Sequence, residues 1–309
     1  MVLFPYVCTR GEPGMNSYVL TCCSTSDYPR SFFEGRDIPY VCFHYEIDGE
    51  QYLDDLYASF SPADFYARLK GGAESKTSQI SMGEYVEFWE PFLRDGKDVL
   101  HVTLSSGISG TYNSACLAAR ELEARYPDRT VRVLDSLAAS SGYGLLVELL
   151  ADGRDEGVGL DELVAWGEQM RLRVNHWFFV SDLDCLKRGG RVSNASALVA
   201  SALKICPVMN VDATGRLVPR EKIRTKKKAT AELARLMVEL AEGGIGYDGL
   251  CRISHSDCRE DAQKLAELVE ESIPPLKGKI QICDIGTVIG SHTGPGTVAL
   301  FFLGAERAD

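Results

Sequence analysis

Two short hydroxyl-rich turns, Thr77-Ser78-Gln79 and Ser105-Ser106-Gly107-Ile108-Ser109-Gly110-Thr111, carry the chemistry most readily read from this chain. The second follows the apolar run Val99-Leu100-His101-Val102-Thr103-Leu104, which reads as a buried parallel strand. From Tyr112 the pattern turns helical, with Ala115, Leu117, Ala118, Ala119 and Leu122 on or near one face. A strand, a Gly/Ser turn and a helix start bring free backbone N–H groups and hydroxyls together, and such a place suits an anion. It contains no lysine, so it is not the GxxxxGK[ST] loop that cradles a nucleotide triphosphate. The guest it suits is a carboxylate or a small phosphate held by neutral donors. A third chemically able segment is the Gly-rich stretch Gly290-Ser291-His292-Thr293-Gly294-Pro295-Gly296, which places one histidine among turn formers.

The elements that position these groups follow from periodicity. Ser17 to Thr21 reads as a strand, and Tyr40 to Ile47 with Glu50 to Leu53 as a hairpin about Asp48-Gly49. Ser81 and Glu84 form a capping box ahead of Tyr85, Phe88, Trp89, Phe92 and Leu93 at helical spacing. Thr130 to Leu134 is a further strand; Leu137 to Leu150 and Asp161 to Val174 are helices about an acidic loop, Asp152 to Gly159. Strand and helix alternate up to this point, as in a parallel sheet wrapped on both faces. After His176 to Val180 the order changes. A basic turn, Lys187 to Arg191, and a small-residue helix, Ala195 to Leu203, lead into a strand–turn–strand meander over Ile205 to Ile223. Helices Lys227–Leu240 and Asp257–Ser272 then alternate with strands Leu250–Ser254, Lys279–Ile285 and Val298–Leu303.

The expected fold is therefore α/β in two domains. Residues 15–173 make an N-terminal three-layer α/β/α domain on a parallel sheet, and residues 174–309 a C-terminal two-layer α+β domain on a mixed sheet. Residues 1–14 read as a leader, with Met15 as a natural start.

With 309 residues, 45% hydrophobic and 25% charged, the chain is ordinary for a globular protein. The net charge of −11 argues against nucleic acid and against more than transient contact with an anionic membrane. The N-terminus lacks the basic start and apolar run of a signal peptide, so a cytoplasmic location and reduced cysteines are expected. The ten cysteines include no CxxC, and Cys251, His255 and Cys258 lack a fourth ligand at zinc-site spacing. Neither a metal nor a cofactor is expected, and the adjacent Cys22 and Cys23 read as buried thiols.

Six segments in this order resemble the DegV family, bacterial lipid-binding proteins that include the fatty-acid-binding subunits of fatty acid kinase. They are Thr77-Ser78-Gln79, Ser105 to Tyr112, Asp135-Ser136, Arg188-Gly189-Gly190-Arg191, Arg224-Thr225-Lys226-Lys227-Lys228 and Gly290 to Gly296. The resemblance covers nearly the whole chain from Tyr18. It implies a fatty acid between two domains, with Thr77, Ser105, Ser106 and His292 as carboxylate contacts. Ser24, Gly107, Ile108 and Arg191 would form the rim or tunnel. It also implies a partner, the catalytic subunit of a fatty acid kinase, with Arg188, Arg224 and Lys226 as docking residues. The chain departs from the family at Cys23-Ser24, where an Asp-Ser pair is usual. The competing reading is a small-acid phosphotransferase or esterase built on Ser105-Ser106 and His292, with Asp135 as the acid. Against it, Gly107-Ile108-Ser109-Gly110-Thr111 does not complete the GxSxG nucleophile elbow.

Overall fold

A computed structural model describes residues 18–181, 184–192 and 205–308. The leader and the helix expected over Ala195–Leu203 lie outside the described residues. The first sheet orders its strands β2-β1-β6-β7, all parallel: β1 Tyr18–Cys23, β2 Tyr40–Val41, β6 Asp98–Thr103 and β7 Val131–Asp135. Its central strands are almost wholly buried, as continuous apolar runs require when helices cover both faces. Helix α3 (Met82–Arg94) begins with the capping box the sequence announces: the Glu84 amide donates to Ser81 Oγ and the Ser81 amide to the Glu84 carboxylate. It buries Tyr85, Trp89 and Leu93 on one face and packs on α4 (Thr111–Arg125). A fully buried large apolar side chain contributes about 1.5–3 kcal/mol, so this stripe fixes the helix whatever its local propensity.

The structure corrects three local readings. Tyr40–Val41 belongs to the parallel sheet, and only β3 (His44–Ile47) and β4 (Glu50–Leu53) form the hairpin, with Asp48 and Gly49 both at positive φ. Ser75–Ser78 is no turn. It is β5, paired antiparallel to β3 with Thr77 opposite Tyr45, so that a third, three-stranded sheet (β4-β3-β5) arises. The expected Leu137 helix starts at Ser140 instead, because Leu137 and Ser140 both take left-handed φ and the Leu137 amide is held by the Asp135 side chain. That helix, α5 (Ser140–Asp155), runs on into the expected acidic loop.

The second sheet is mixed, in the order β10-β9-β8-β13-β11-β12, and only β11 and β12 are parallel neighbours. Its strands are β8 Val174–Phe179, β9 Cys206–Val211, β10 Leu217–Ile223, β11 Cys251–His255, β12 Gln281–Asp284 and β13 Val298–Leu303. Helices α8 (Lys226–Leu240) and α9 (Arg259–Ser272) pack against it, as does the almost wholly buried α5, which also contacts β1 of the first sheet. Three further helices, α1 (Arg30–Gly35), α2 (Pro62–Lys70) and α6 (Leu160–Met170), complete the first half. Lys187 and Arg188 lie in a short helix, α7 (Asp184–Gly189), rather than in a turn. The Gly-rich histidine segment is likewise helical: α10 spans Thr287–Thr293 and ends at Gly294, whose φ is +72°.

Candidate functional site

Helix α10 belongs to the second half of the chain but is anchored in the first. The hydroxyls of Tyr57 and Tyr66 donate to the Ile285 carbonyl, the latter at 2.6 Å. Gly286 N–H donates to Asp27 at 2.9 Å, and Thr287 Oγ1 to Asp54 at 2.7 Å. One turn further on, Ser291 Oγ meets Ser75 Oγ at 2.7 Å and His292 Nε2 meets Thr77 Oγ1 at 2.8 Å. Both carboxylates are buried, and desolvation raises their pKa even though hydroxyl and amide donors oppose it.

Next to this helix lies a cavity of about 360 Å³, bounded by the mixed sheet, strand β5 and the turn after β6. Phe178, Ala299, Phe301, Val211 and Leu217 come from the mixed sheet, Leu104 and Ile108 from the β6–α4 turn, and Val288 and Ile289 from α10. The walls are thus chiefly apolar. Thr77, Ser109, Arg191 and His292 are among its polar lining residues, and Thr77 and His292 are in direct contact. The hydroxyl-rich segments converge here. A Cβ on Gly110 would stand 2.4 Å from the Gln79 side chain, and Gln79 Nε2 donates to Ser114 Oγ at 3.0 Å. Arg191 donates through Nε to the Ile108 carbonyl and through a terminal nitrogen to that of Gly189. A Cβ on Gly189 would lie 2.3 Å from His292 Nδ1, which has no partner among the described residues.

Burial, with a smaller contribution from the positive Arg191, pushes the His292 pKa down to about 4. The imidazole is therefore neutral near pH 7, so this end of the cavity offers neutral hydrogen-bonding groups together with one exposed guanidinium.

The expected head-group residues do not all reach the cavity. Thr77 and His292 line it; Ser105 and Ser106 do not. Ser105 is buried, donates to the Gly215 carbonyl at 2.8 Å and accepts from the Gly107 amide, so its hydroxyl ties the turn to the β9–β10 hairpin. Ser106 is exposed, with its amide on Asp135. The cavity hydroxyl from this turn is Ser109, four residues past Ser105 and bonded to the first amide of α4. Among the rim residues, Ile108 and Arg191 line the cavity. Gly107 sits against the Thr214 and Gly215 backbone, where a Cβ would have no room. Ser24 is buried with its hydroxyl on Asp54 at 2.9 Å. Arg188 and Arg224 are exposed, whereas Lys226 is committed to Asp261 at 2.8 Å.

Among the described residues no serine–histidine–carboxylate relay forms on His292. His292 bonds Thr77, its other nitrogen has no carboxylate, and Asp135 accepts the Ser106 and Leu137 amides. Cys22 and Cys23 are buried. Desolvation pushes both thiols up, Cys23 to about 11, so neither supplies a thiolate near neutral pH. Cys23 Sγ instead joins a buried chain running from Thr111 through Tyr85 to His101, whose pKa burial pushes down to about 3. Sequence reasoning missed His176: buried to 1% exposure, it also borders the cavity. Among the described residues no group of three or more His, Cys, Asp or Glu could hold a metal ion, and no helix is long and apolar enough to cross a membrane.

Fold and cavity together define the class: an α/β chain with a parallel and a mixed sheet, and a largely apolar cavity between the mixed sheet, strand β5 and the turn after β6 that carries neutral hydrogen-bonding groups. The chain belongs to the DegV family. The family model described as "Uncharacterised protein, DegV family" matches residues 21–305. A DegV domain-containing protein of Clostridium perfringens is 38% identical over 95% of this chain and 99% of its own length. Among solved structures, the chain is similar to a DegV family protein from Thermus thermophilus reported for fatty acid binding. That match has a TM-score of 0.82 and 28% identity over 93% of this chain and 99% of the other. It is also similar to DegV from Bacillus subtilis, described as a fatty acid binding protein. There the TM-score is 0.80 and the identity 29%, over 94% of this chain and all of the other.

Proposed function

We propose that this chain binds one fatty acid in the cavity, with its carboxylate at the Thr77–His292 end, and presents it to a partner kinase for acyl-phosphate formation. The observation that carries the reading is the contact of Thr77 with His292 on a cavity whose walls are otherwise chiefly apolar. Burying an acyl chain contributes about 0.8 kcal/mol per CH₂, so the walls supply most of the affinity. A hydrogen bond to a charged group adds about 1.5–3 kcal/mol and fixes which end faces the donors. Arg191 adds a complementary charge, worth little because it is exposed. The fatty acid binding reported for the Thermus and Bacillus relatives supports the same guest.

The kinase half of the proposal rests on the chemistry left undone. Among the described residues the cavity offers hydrogen-bonding groups but no lysine, which fits a carrier whose acyl carboxylate receives its phosphate from an ATP-dependent partner. Arg188 and Arg224, exposed on an otherwise acidic chain, are the docking candidates; Lys226 is a weaker one because of its pairing with Asp261. The phosphotransferase or esterase alternative has less support, because His292 Nε2 is engaged by Thr77 and no serine hydroxyl among the described residues bonds the ring. Two assays test the proposal. Titration with a fluorescent fatty acid should saturate at one per chain. Acyl phosphate should form from ATP only when a fatty acid kinase catalytic subunit is added; formation by this chain alone would favour the alternative.

A further inference from the structure

His292 has two ring nitrogens, and their surroundings differ. Nε2 lies 2.8 Å from Thr77 Oγ1. Nδ1 is buried, has no hydrogen-bond partner among the described residues, and faces Gly189, where a Cβ would stand at 2.3 Å. The ring is neutral, so it carries a single N–H, and two arrangements are open. In the first, Nδ1 holds the proton. A buried donor is then left without an acceptor, at a cost that exceeds that of an idle lone pair, and the Thr77 hydroxyl must spend its only proton on Nε2. In the second, Nε2–H donates to Thr77, Nδ1 is a bare lone pair, and the Thr77 proton is free to point elsewhere. Arg191 decides in favour of the second. Its guanidinium bonds the Gly189 carbonyl, bringing positive charge to the Nδ1 side of the ring, where a lone pair is favoured over an N–H dipole.

We propose that Gly189 is a positioning residue of the head-group site: its carbonyl holds Arg191 on the Nδ1 side and its lack of a side chain lets the ring sit there, which together keep His292 as the Nε2–H tautomer and so free the Thr77 hydroxyl proton for the bound carboxylate. His292 then acts through Thr77. Glycine is required at 189 because any Cβ there would meet the ring at Nδ1 and, at 3.2 Å, at Cγ, so that either the imidazole or the end of α7 must move. The inference rests on the fatty-acid reading for the identity of the guest, but not for the state of the ring.

The test is ¹⁵N NMR of the imidazole groups in the full chain, first stripped of lipid and then with palmitate. In the lipid-free protein His292 should show a protonated Nε2 and a bare Nδ1 from about pH 5.5 to about pH 8. In Gly189→Ala the Nε2–H signature should give way to a tautomer mixture, and palmitate affinity should fall on the order of tenfold. Adding Thr77→Val to Gly189→Ala should cost little more, because both act on one hydrogen bond. A purely structural role for Gly189 would lower the melting temperature and leave tautomer and affinity intact. An Nδ1–H tautomer in the wild type, an unchanged tautomer in Gly189→Ala, or additive losses would each overturn the proposal. Should the alanine variant not fold, the wild-type tautomer alone decides. Failure of palmitate to bind the wild type would instead defeat the fatty-acid reading and leave the tautomer result standing.

Discussion

Replacing His292 by glutamine should change how stability depends on pH, by an amount the structure sets. Burial and Arg191 hold the folded imidazole near pKa 4, against an ordinary value of 6.5. Between these values the unfolded chain binds close to one more proton at this residue than the folded chain does. Stability therefore falls as pH drops through that window and stops falling below the folded pKa. Integrating the proton difference for these two pKa values gives a penalty of about 0.2 kcal/mol at pH 7 and about 2 kcal/mol at pH 5. The buried Asp27 and Asp54, with raised pKa values, act in the opposite sense: the folded state takes up their protons first, so acidification favours it. Total stability thus mixes opposing terms, and the difference between wild type and His292→Gln isolates the histidine. Urea unfolding of lipid-free protein at both pH values should show the variant gaining about 2 kcal/mol on the wild type at the lower pH. A difference that stays constant would mean that His292 is solvated or already charged in the folded chain, and would refute the neutral-donor description of the site.

Thr77→Val should weaken fatty acid binding on the order of tenfold while Thr77→Ser retains it, measured by fluorescent fatty-acid titration. Ser109→Ala should weaken binding and Ser106→Ala should not, because only the Ser109 side chain lines the cavity. Ser105→Ala should leave affinity intact but cost about 1–3 kcal/mol of stability in denaturant melts, since it strands the buried Gly215 carbonyl and Gly107 amide. Trp89→Ala, in the core under α3, should cost about 3–5 kcal/mol by the same measurement with no separate effect on the ligand.

Much of this architecture is legible in the residues. Val99 to Leu104 announces a buried parallel strand, Ser81 with Glu84 a helix start, and Asp48-Gly49 a tight hairpin, because each is settled by neighbours close in sequence. What the sequence hides is decided by partners far along the chain. Thr77 becomes a strand residue only because β3 lies beside it, and a segment as polar as Ser75–Ser78 carries no apolar alternation to reveal that. The helix of His292 is a single short stretch of seven residues rich in Gly, Ser and Thr, held by Asp27, Asp54, Tyr57 and Tyr66 from more than 200 positions earlier. The choice of Ser109 over Ser105 and Ser106 depends on which way one turn faces once Gly107 packs against Gly215. The family motif names the turn but not the hydroxyl within it. His176 is unreadable for the same reason: a histidine in an apolar strand looks like core unless the residues that line the cavity with it, from the turn after β6 and from α10, are known.

The central claim is that the cavity holds an acyl chain. Native mass spectrometry of the purified full chain beside Ala299→Phe, which projects a ring into that cavity from β13, tests it most directly. The wild type should carry one fatty acid per chain, or take one up when a mixture is added, and the phenylalanine variant should stay folded and empty. A wild type that neither retains nor takes up a fatty acid, or a variant that binds one as well as the wild type does, would contradict the account.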